Sequence, residues 1–322
     1  MTEFELIQRF FAAQPVARDD VIVGIGDDAA VLAPPAGQQL VATTDNLVEG
    51  VHFTPDTDPA AIGHKALAVN LSDLAAMGAE PAWFLLNLTL PQPDAAWLEK
   101  FCAGLFAIAS AHRVQLVGGN IARGPLNVAI EAHGFVPEGE ALRRAGARPG
   151  DSVYVTGELG DAALALRHRL GVQALPPSDF EAIRERLDRP TPRVREGKLL
   201  RRFASSAIDI SDGLVADLGH VLEASGVGAL LVRDRLPLSA TYRTHLAATG
   251  WDPALAAGDD YELCFTVPAR HDAEFARWQP KFGCRVTCIG EIVSGPGLQI
   301  VDAAGNRYQP QRHGHDHFAV AP

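Results

Sequence analysis

Hydrophobic positions along the chain change period several times, and each change marks an element. Phe4, Ile7, Phe10 and Phe11 recur at helical spacing, which predicts an amphipathic helix packed on the body. Val21-Ile22-Val23 then reads as a strand running into a turn, Gly24-Ile25-Gly26-Asp27-Asp28. Leu40-Val41-Ala42 predicts a second strand that ends in Thr43-Thr44-Asp45. Asp58-Pro59 has the cap and first-turn proline of a helix, and Gly78 closes it. Residues 83–90 alternate as a strand, Asp94 caps a helix with Leu98, Phe101, Leu105 and Ile108 on its apolar face, and 114–117 form a strand ending in Gly118-Gly119-Asn120. A further strand covers 126–136. The order of strand, strand, helix, strand, helix, strand, strand predicts an α+β layer with helices on one face of a sheet.

Residues 137–151 are polar and rich in Gly and Pro, and they read as a connector between two domains. Beyond it comes a strand from Ser152, then Gly157 and Gly160 at a turn into a helix, where backbone N–H groups offer a weak phosphate cradle. Helices follow over 179–187 and around 193–203, separated by Pro190 and Pro192. Residues 207–213, AIDISDG, mirror the opening turn, and Ser211-Asp212 have the composition of a cap for the next helix. Residues 256–265 place Asp259 and Asp260 ahead of another strand. Both halves therefore have strands ending in acidic turns, which predicts two domains with a cleft between them.

Two carboxylates stand out because they occupy apolar positions. Asp73 shares a helix face with Ile62, Ala66, Val69 and Met77, and Asp209 lies inside an apolar strand. Such a group is costly to bury unless it is paired or bound to a metal. Other features stay open between two readings. Asp27 and Asp28 are either a solvated turn or ligands, His52 is either a packed histidine or a ligand contact, and Arg143 and Arg144 are either linker residues or phosphate contacts.

The formal charge of −11 disfavours nucleic acid and anionic membranes as partners, and it asks for a divalent cation if the substrate is an anion. The N-terminus lacks the basic region of a signal peptide, and no apolar run approaches the roughly 18 residues of a membrane helix. Cys102, Cys264, Cys284 and Cys288 form neither a redox pair nor a zinc site, so four buried thiols in a cytoplasmic protein are expected. Carboxylates and hydroxyls at strand ends select Mg²⁺, or Mn²⁺, over zinc. P-loop, protein-kinase and nucleophile-elbow motifs are absent, which leaves metal-dependent nucleotide chemistry.

GIGDDAAV, TTDNLVEGVHF, NLSDLAAMGAEP, VGGN, IDISDGL and GDDYELCF, in this order, resemble the thiamine-monophosphate kinase family, which is related to aminoimidazole ribonucleotide synthetase and selenophosphate synthetase. The resemblance spans essentially the whole chain and implies a two-domain PurM-like fold. Residues 1–137 would form a dimer-forming mixed sheet that binds metal and ATP, and 150–322 a C-terminal α/β domain that completes the ATP and substrate site. It also implies transfer of the γ-phosphoryl group of ATP to thiamine monophosphate, several Mg²⁺ ions and a homodimer. Carried over by position, the metal ligands are Asp28, Thr43, Thr44, Asp45, Asp73, Asn120, Asp209 and Asp212. Gly119, Asn120, Arg144 and Ser211 contact ATP, His52 and Asp259 hold the thiamine phosphate, and His315 stands on the substrate side where the family has an aromatic over the thiamine rings.

Three positions depart from the family pattern: Asn120 stands where many members have Asp, Asp259 replaces the usual Glu, and His315 falls on the terminal aromatic. No Cys lies near the N-terminal glycine turn, which disfavours selenophosphate synthetase. Aminoimidazole ribonucleotide synthetase and a non-catalytic nucleotide-binding regulator remain the rival readings, and one assay for thiamine diphosphate and ADP separates them.

Overall fold

The structure is a computed structural model that describes residues 2–312 and residue 314. The chain divides into two compact units, one comprising Ala79–Ala141 with the chain up to Leu74, the other Ala75–Gly78 with the chain from Leu142 onward.

The first unit begins with a short helix α1 (Glu3–Leu6) that widens into a π-turn over Ile7–Phe11. Leu6, Phe10 and Phe11 are buried, but Phe4 is 81% exposed, so the expected stripe packs through fewer residues than its spacing suggested. Strands β1 (Val21–Val23) and β2 (Val31–Leu32) pair antiparallel around the glycine turn. The main sheet has four strands in the order β3, β6, β4, β5. These are β3 (Gln38–Val48), β4 (Glu80–Leu90), β5 (Gln115–Arg123) and β6 (Asn127–Pro137). Only β4 and β5 run parallel, which makes the sheet mixed.

Two expected strand ends lie inside strands. Thr43, Thr44 and Asp45 sit in the middle of β3, because its ladder to β6 continues without a break from Gln38 to Val48. Gly118, Gly119 and Asn120 likewise belong to the interior of β5, beside a bulge that leaves Val117 as an extra residue between the pairs Phe84–Leu116 and Leu85–Gly118. A glycine run normally signals a turn; here the close passage of Leu86 leaves no room for a Cβ at Gly119.

Helix α2 (Pro59–Ala76) crosses α3 (Ala95–His112) at a point where a Cβ on Gly104 would overlap the Ala60 carbonyl oxygen. Asp58 caps α2 through the Ala60 N–H at 3.2 Å, and Asp94 caps α3 through the N–H groups of Ala96 and Trp97. Trp83, Val117 and Phe135 form a cluster against Val21, Ala30 and Leu32, so the β1–β2 hairpin is seated on the sheet. Trp83 also donates its indole N–H to Asp20 at 2.9 Å, and the Arg18 guanidinium bonded to that carboxylate holds it below the usual range.

The second unit is built on a seven-stranded sheet in the order β13, β12, β9, β11, β7, β10, β8. Its strands are β7 (Ser152–Thr156), β8 (Ser206–Asp209), β9 (Gly228–Val232), β10 (Leu263–Val267), β11 (Val286–Val293), β12 (Gly297–Val301) and β13 (Arg307–Tyr308). Pairing is antiparallel except between β9 and β12. The helices are α4 (Asp161–Arg169), α5 (Pro177–Asp188), α6 (Val194–Leu200), α7 (Leu214–Ser225), α8 (Ala240–Thr249), α9 (Asp252–Ala256) and α10 (Asp272–Trp278). Leu159, Leu164, Leu214, Leu218 and Ile289 are at the centre of an apolar core that joins helices to sheet. Cys102 and Cys264 are buried, as expected, whereas Cys284 and Cys288 are only half-buried. No helix among the described residues is long and apolar enough to cross a membrane.

Replacing Gly104 by Ala forces α2 and α3 apart. The expected cost is about 1–3 kcal/mol, the range for overpacking a fitted contact, read as a lower urea midpoint. An unchanged midpoint would mean that the crossing is loose enough to absorb a methyl group.

Candidate active site

In the first unit the glycine turn after β1 lies beside β5. Together they line a cavity of about 950 Å³ that brings Asp28, Gly119 and Asn120 to one place, with Glu131 and His133 of β6. The two aspartates of the turn are not equivalent. Asp27 accepts the Asp28 N–H at 2.9 Å and so shapes the loop, while Asp28 is exposed beside it. Glu131 and His133 carry no signal in sequence beyond strand alternation. Their side chains meet at 3.2 Å, and His133 Nδ1 is buried without a partner.

Strand alternation sorts the Thr-Thr-Asp run of β3. Thr43, Ala132 and Phe84 form one cross-strand row, and Thr44, Glu131 and Leu85 form the next. Thr43 therefore shares a face with Asp45, and its hydroxyl donates to Asp73 of α2. Thr44 lies on the opposite face and donates to the Ile130 carbonyl at 3.0 Å. Asp73 is half-buried, because it meets the sheet through Thr43; the fully buried polar residues of that helix are Asn70 and Ser72. His52 Nδ1 accepts the Val48 N–H at 3.0 Å and closes the turn after β3. Lys65, whose only hint in sequence is its place on the apolar side of α2, is buried and donates to the His52 carbonyl at 3.3 Å.

In the second unit β8 ends at Asp209, which is buried at the edge of the seven-stranded sheet. Ser211 and Asp212 follow, but they do not cap α7. Asp217, one turn into the helix, reaches back to accept the N–H groups of Asp212 and Gly213 at 3.1 and 3.0 Å. Burial pushes the Asp217 carboxyl up to about 7, and the negative charge of Asp212 adds to the rise. Arg144 is exposed; its carbonyl accepts from the Ser225 hydroxyl at 3.3 Å.

The expected phosphate cradle at Gly157 and Gly160 is not formed. The Gly160 N–H donates to the Asp260 carboxylate at 2.9 Å, and the Glu262 carboxylate occupies the space a Cβ on Gly157 would need. Glu262 is fully buried, and its oxygens accept from Thr156, Arg186 and Arg193. Asp161 is buried beside this group and accepts from the Ser239 hydroxyl at 2.6 Å. Burial pushes its carboxyl up to about 6, against the lowering effect of that hydrogen bond.

Among the described residues no three His, Cys, Asp or Glu side chains converge as a metal site. The donor chemistry nonetheless fits a hard cation. The candidate ligands are all oxygen donors, and the repulsion between Asp212 and Asp217 is the kind that a divalent ion beside Asp212 relieves. His315 lies outside the described residues.

Residues 26–136 match the family described as AIR synthase related protein, N-terminal domain, and 148–303 match AIR synthase related protein, C-terminal domain. The thiamine-monophosphate kinase of Salmonella typhimurium is 48% identical over 99% of this chain and 98% of its own length. The chain belongs to the thiamine-monophosphate kinase family. A thiamine-monophosphate kinase from Stenotrophomonas maltophilia K279a, solved by crystallography, matches with 46% identity and a TM-score of 0.87, covering 96% of this chain and 98% of that one. AaThiL complexed with AMPPCP and TMP matches with 34% identity and a TM-score of 0.77, over 91% and 92% of the two chains. The PurM-like fold, with two α+β units, is thus the family's own.

The raised carboxyl of Asp161 sets a pH dependence. Its folded value, about 6, is above the ordinary 3.8, so stability is lost as pH rises from near 4 through 6. Asp161→Asn keeps an acceptor for Ser239 and carries no charge. Relative to the parent it is expected to gain roughly 2–3 kcal/mol between pH 4.5 and 7.5 in urea unfolding. A difference that does not change with pH would contradict this assignment.

Proposed function

We propose that the chain transfers the γ-phosphoryl group of ATP to thiamine monophosphate, yielding thiamine diphosphate and ADP. The observation that carries this reading is the likeness to AaThiL complexed with AMPPCP and TMP, an ATP analogue together with the acceptor, along nine-tenths of the chain. The 48% identity to the thiamine-monophosphate kinase of Salmonella typhimurium supports it.

The residue roles are those the family resemblance implies, and the oxygen-donor character of the proposed ligands supports them. Asp28, Thr43, Thr44, Asp45, Asp73, Asn120, Asp209 and Asp212 hold Mg²⁺, with Mn²⁺ as a substitute. Gly119, Asn120, Arg144 and Ser211 contact ATP, and His52 and Asp259 hold the thiamine phosphate. When bound, the metal offsets the charge of the phosphates and so lowers the repulsion between donor and acceptor. The protein's own part is to hold carboxylates at fixed points and to keep the acceptor in line with the γ-phosphorus. A phosphate monoester has its second pKa near about 6, so the acceptor is largely dianionic at neutral pH and needs no strong general base. Transfer is then direct, with no phospho-enzyme.

A homodimer is part of the same proposal. Strand β3 is eleven residues long and lies at the edge of its sheet, and Leu40 on it is 52% exposed. An edge of that length is one that a second copy can cover. A cytoplasmic location agrees with the four unpaired thiols and the absence of a membrane-spanning helix among the described residues.

Incubation with ATP, Mg²⁺ and thiamine monophosphate is expected to give equal amounts of thiamine diphosphate and ADP. Formation of ADP without thiamine diphosphate would point to another ATP-using member of the superfamily, and no turnover to a binding protein. Asp73→Ala is expected to lower kcat by about a hundredfold or more, the scale of losing one transition-state contact, with an unaltered circular dichroism spectrum. Near-parental turnover would remove Asp73 from the site. Labelling with γ-³²P ATP in the absence of acceptor is expected to leave the protein unlabelled; a covalent phosphoryl-protein competent to form product would overturn direct transfer.

A further inference from the structure

The segment carrying Ser211 and Asp212 and the turn carrying Asp259 are joined by backbone bonds, but each has a side-chain anchor of its own. Asp217 fixes the first through the N–H groups of Asp212 and Gly213. The second has an unusual backbone. Asp259 and Tyr261 adopt φ of 64° and 49°, which residues other than glycine keep only when their surroundings impose it.

The surroundings here are two buried acids. Asp260 and Glu262 are 4% and 0% exposed. Asp260 Oδ1 accepts the Gly160 N–H at the start of α4 at 2.9 Å. Glu262 accepts from Arg193 Nε and Nη2 at 2.6 and 2.5 Å, from Arg186 Nη2 at 2.5 Å and from Thr156 Oγ1 at 2.6 Å. Thr156 Oγ1 in turn accepts the Leu263 N–H at 2.8 Å, which ties the clamp to the first residue of β10. Three backbone bonds of 2.8 Å complete the lacing: Asp259 N–H to Ser211, Tyr261 N–H to Ile210 and Ile210 N–H to Glu262.

We propose that Asp260 and Glu262 are positioning residues for the acceptor side of the reaction, imposing the left-handed turn that sets Asp259, while Asp217 sets Ser211 and Asp212 for the nucleotide side. Neither acid touches substrate. The proposal rests on the assignment of Asp259 to thiamine monophosphate, and it adds a separation of the two substrates that the assignment alone does not contain. Loosening the Asp260–Glu262 clamp displaces Asp259 first, because the Ser211 segment keeps its own anchor. A purely structural role predicts something else: fewer folded molecules, a lower apparent kcat and both KM values unchanged.

The test is steady-state kinetics on the full chain, varying ATP and thiamine monophosphate separately. Asp260→Ala and Arg186→Gln are each expected to raise the KM for thiamine monophosphate about tenfold or more, the scale of a small misplacement at a reacting group. The KM for ATP should stay within about twofold. Asp260→Asn, which keeps an oxygen for Gly160, should recover most of the loss. Arg186 has 24% of its side chain exposed, so its variant reports even where Asp260→Ala does not fold. Equal rises in both KM values, or a fall in kcat with both KM values unchanged, would overturn the proposal. A parent protein that makes no thiamine diphosphate would instead overturn the proposed function and leave the clamp untouched.

Discussion

Carboxylates brought close together repel one another, and most of this structure answers to that constraint. The chain has 39 acidic residues against 28 basic ones, and several of the acids lie at or beside the candidate site. A fold can tolerate such groups in three ways, and each is visible. Glu262 is fully buried and matched by the guanidinium groups of Arg186 and Arg193. Asp161 and Asp260 are buried with hydrogen-bond donors rather than cations at their carboxyls, and burial holds both above the ordinary carboxylate range. Asp28 is left at the surface, beside the cavity in the first unit. Glu262, Asp161 and Asp260 are thus matched inside the protein, while Asp28, one of the proposed metal ligands, is at the surface.

Local signals predicted local structure well. Asp94 accepts from the N–H groups of Ala96 and Trp97, as an Asp ahead of a helical period implies, and Asp58 does the same for α2. The alternation of strands and helices in the first unit followed from periodicity, apart from the short β2, while its mixed sheet was implied by the family resemblance. What the residues did not disclose depends on distant partners. Thr43-Thr44-Asp45 read as a strand end because the apolar run stops at Ala42 and Asp is a poor strand former, yet β6 supplies a complete ladder along all of β3. Gly118-Gly119 read as a turn because glycine usually makes one, whereas here it accommodates a neighbouring backbone.

The same reason explains the misread cap and the misread cradle. Ser211-Asp212 have the right composition for a helix cap, but an acid five residues beyond Asp212 takes the two N–H groups instead. Gly157 and Gly160 stand at a turn into a helix, which offered a weak phosphate cradle, but Asp260 accepts the Gly160 N–H and the Glu262 carboxylate fills the space beside Gly157. Those acids are about a hundred residues away in sequence, at separations of 100 for Gly160–Asp260 and 106 for Thr156–Glu262. Neither competitor is recognisable until the sheet has placed β7 beside β10. Glu262 itself was legible only as part of the GDDYELCF resemblance, and its role as the partner of two arginines was not.

The division of β3 into two faces has a consequence for how this chain can vary. Thr43 and Asp45 are on one side of the strand and Thr44 on the other, an arrangement fixed by a pairing register with no bulge between Gln38 and Val48. Inserting or deleting a single residue within those eleven would exchange the two sets, turning Thr44 toward Asp73 and sending Asp45 to the face it now avoids. Substitutions in β3 act one side chain at a time, but a change of length acts on all of them at once. Natural variation in chain length should therefore collect in the turns on either side, around Gly37 and Gly50, where an added residue lengthens a loop and leaves the parity of the strand intact.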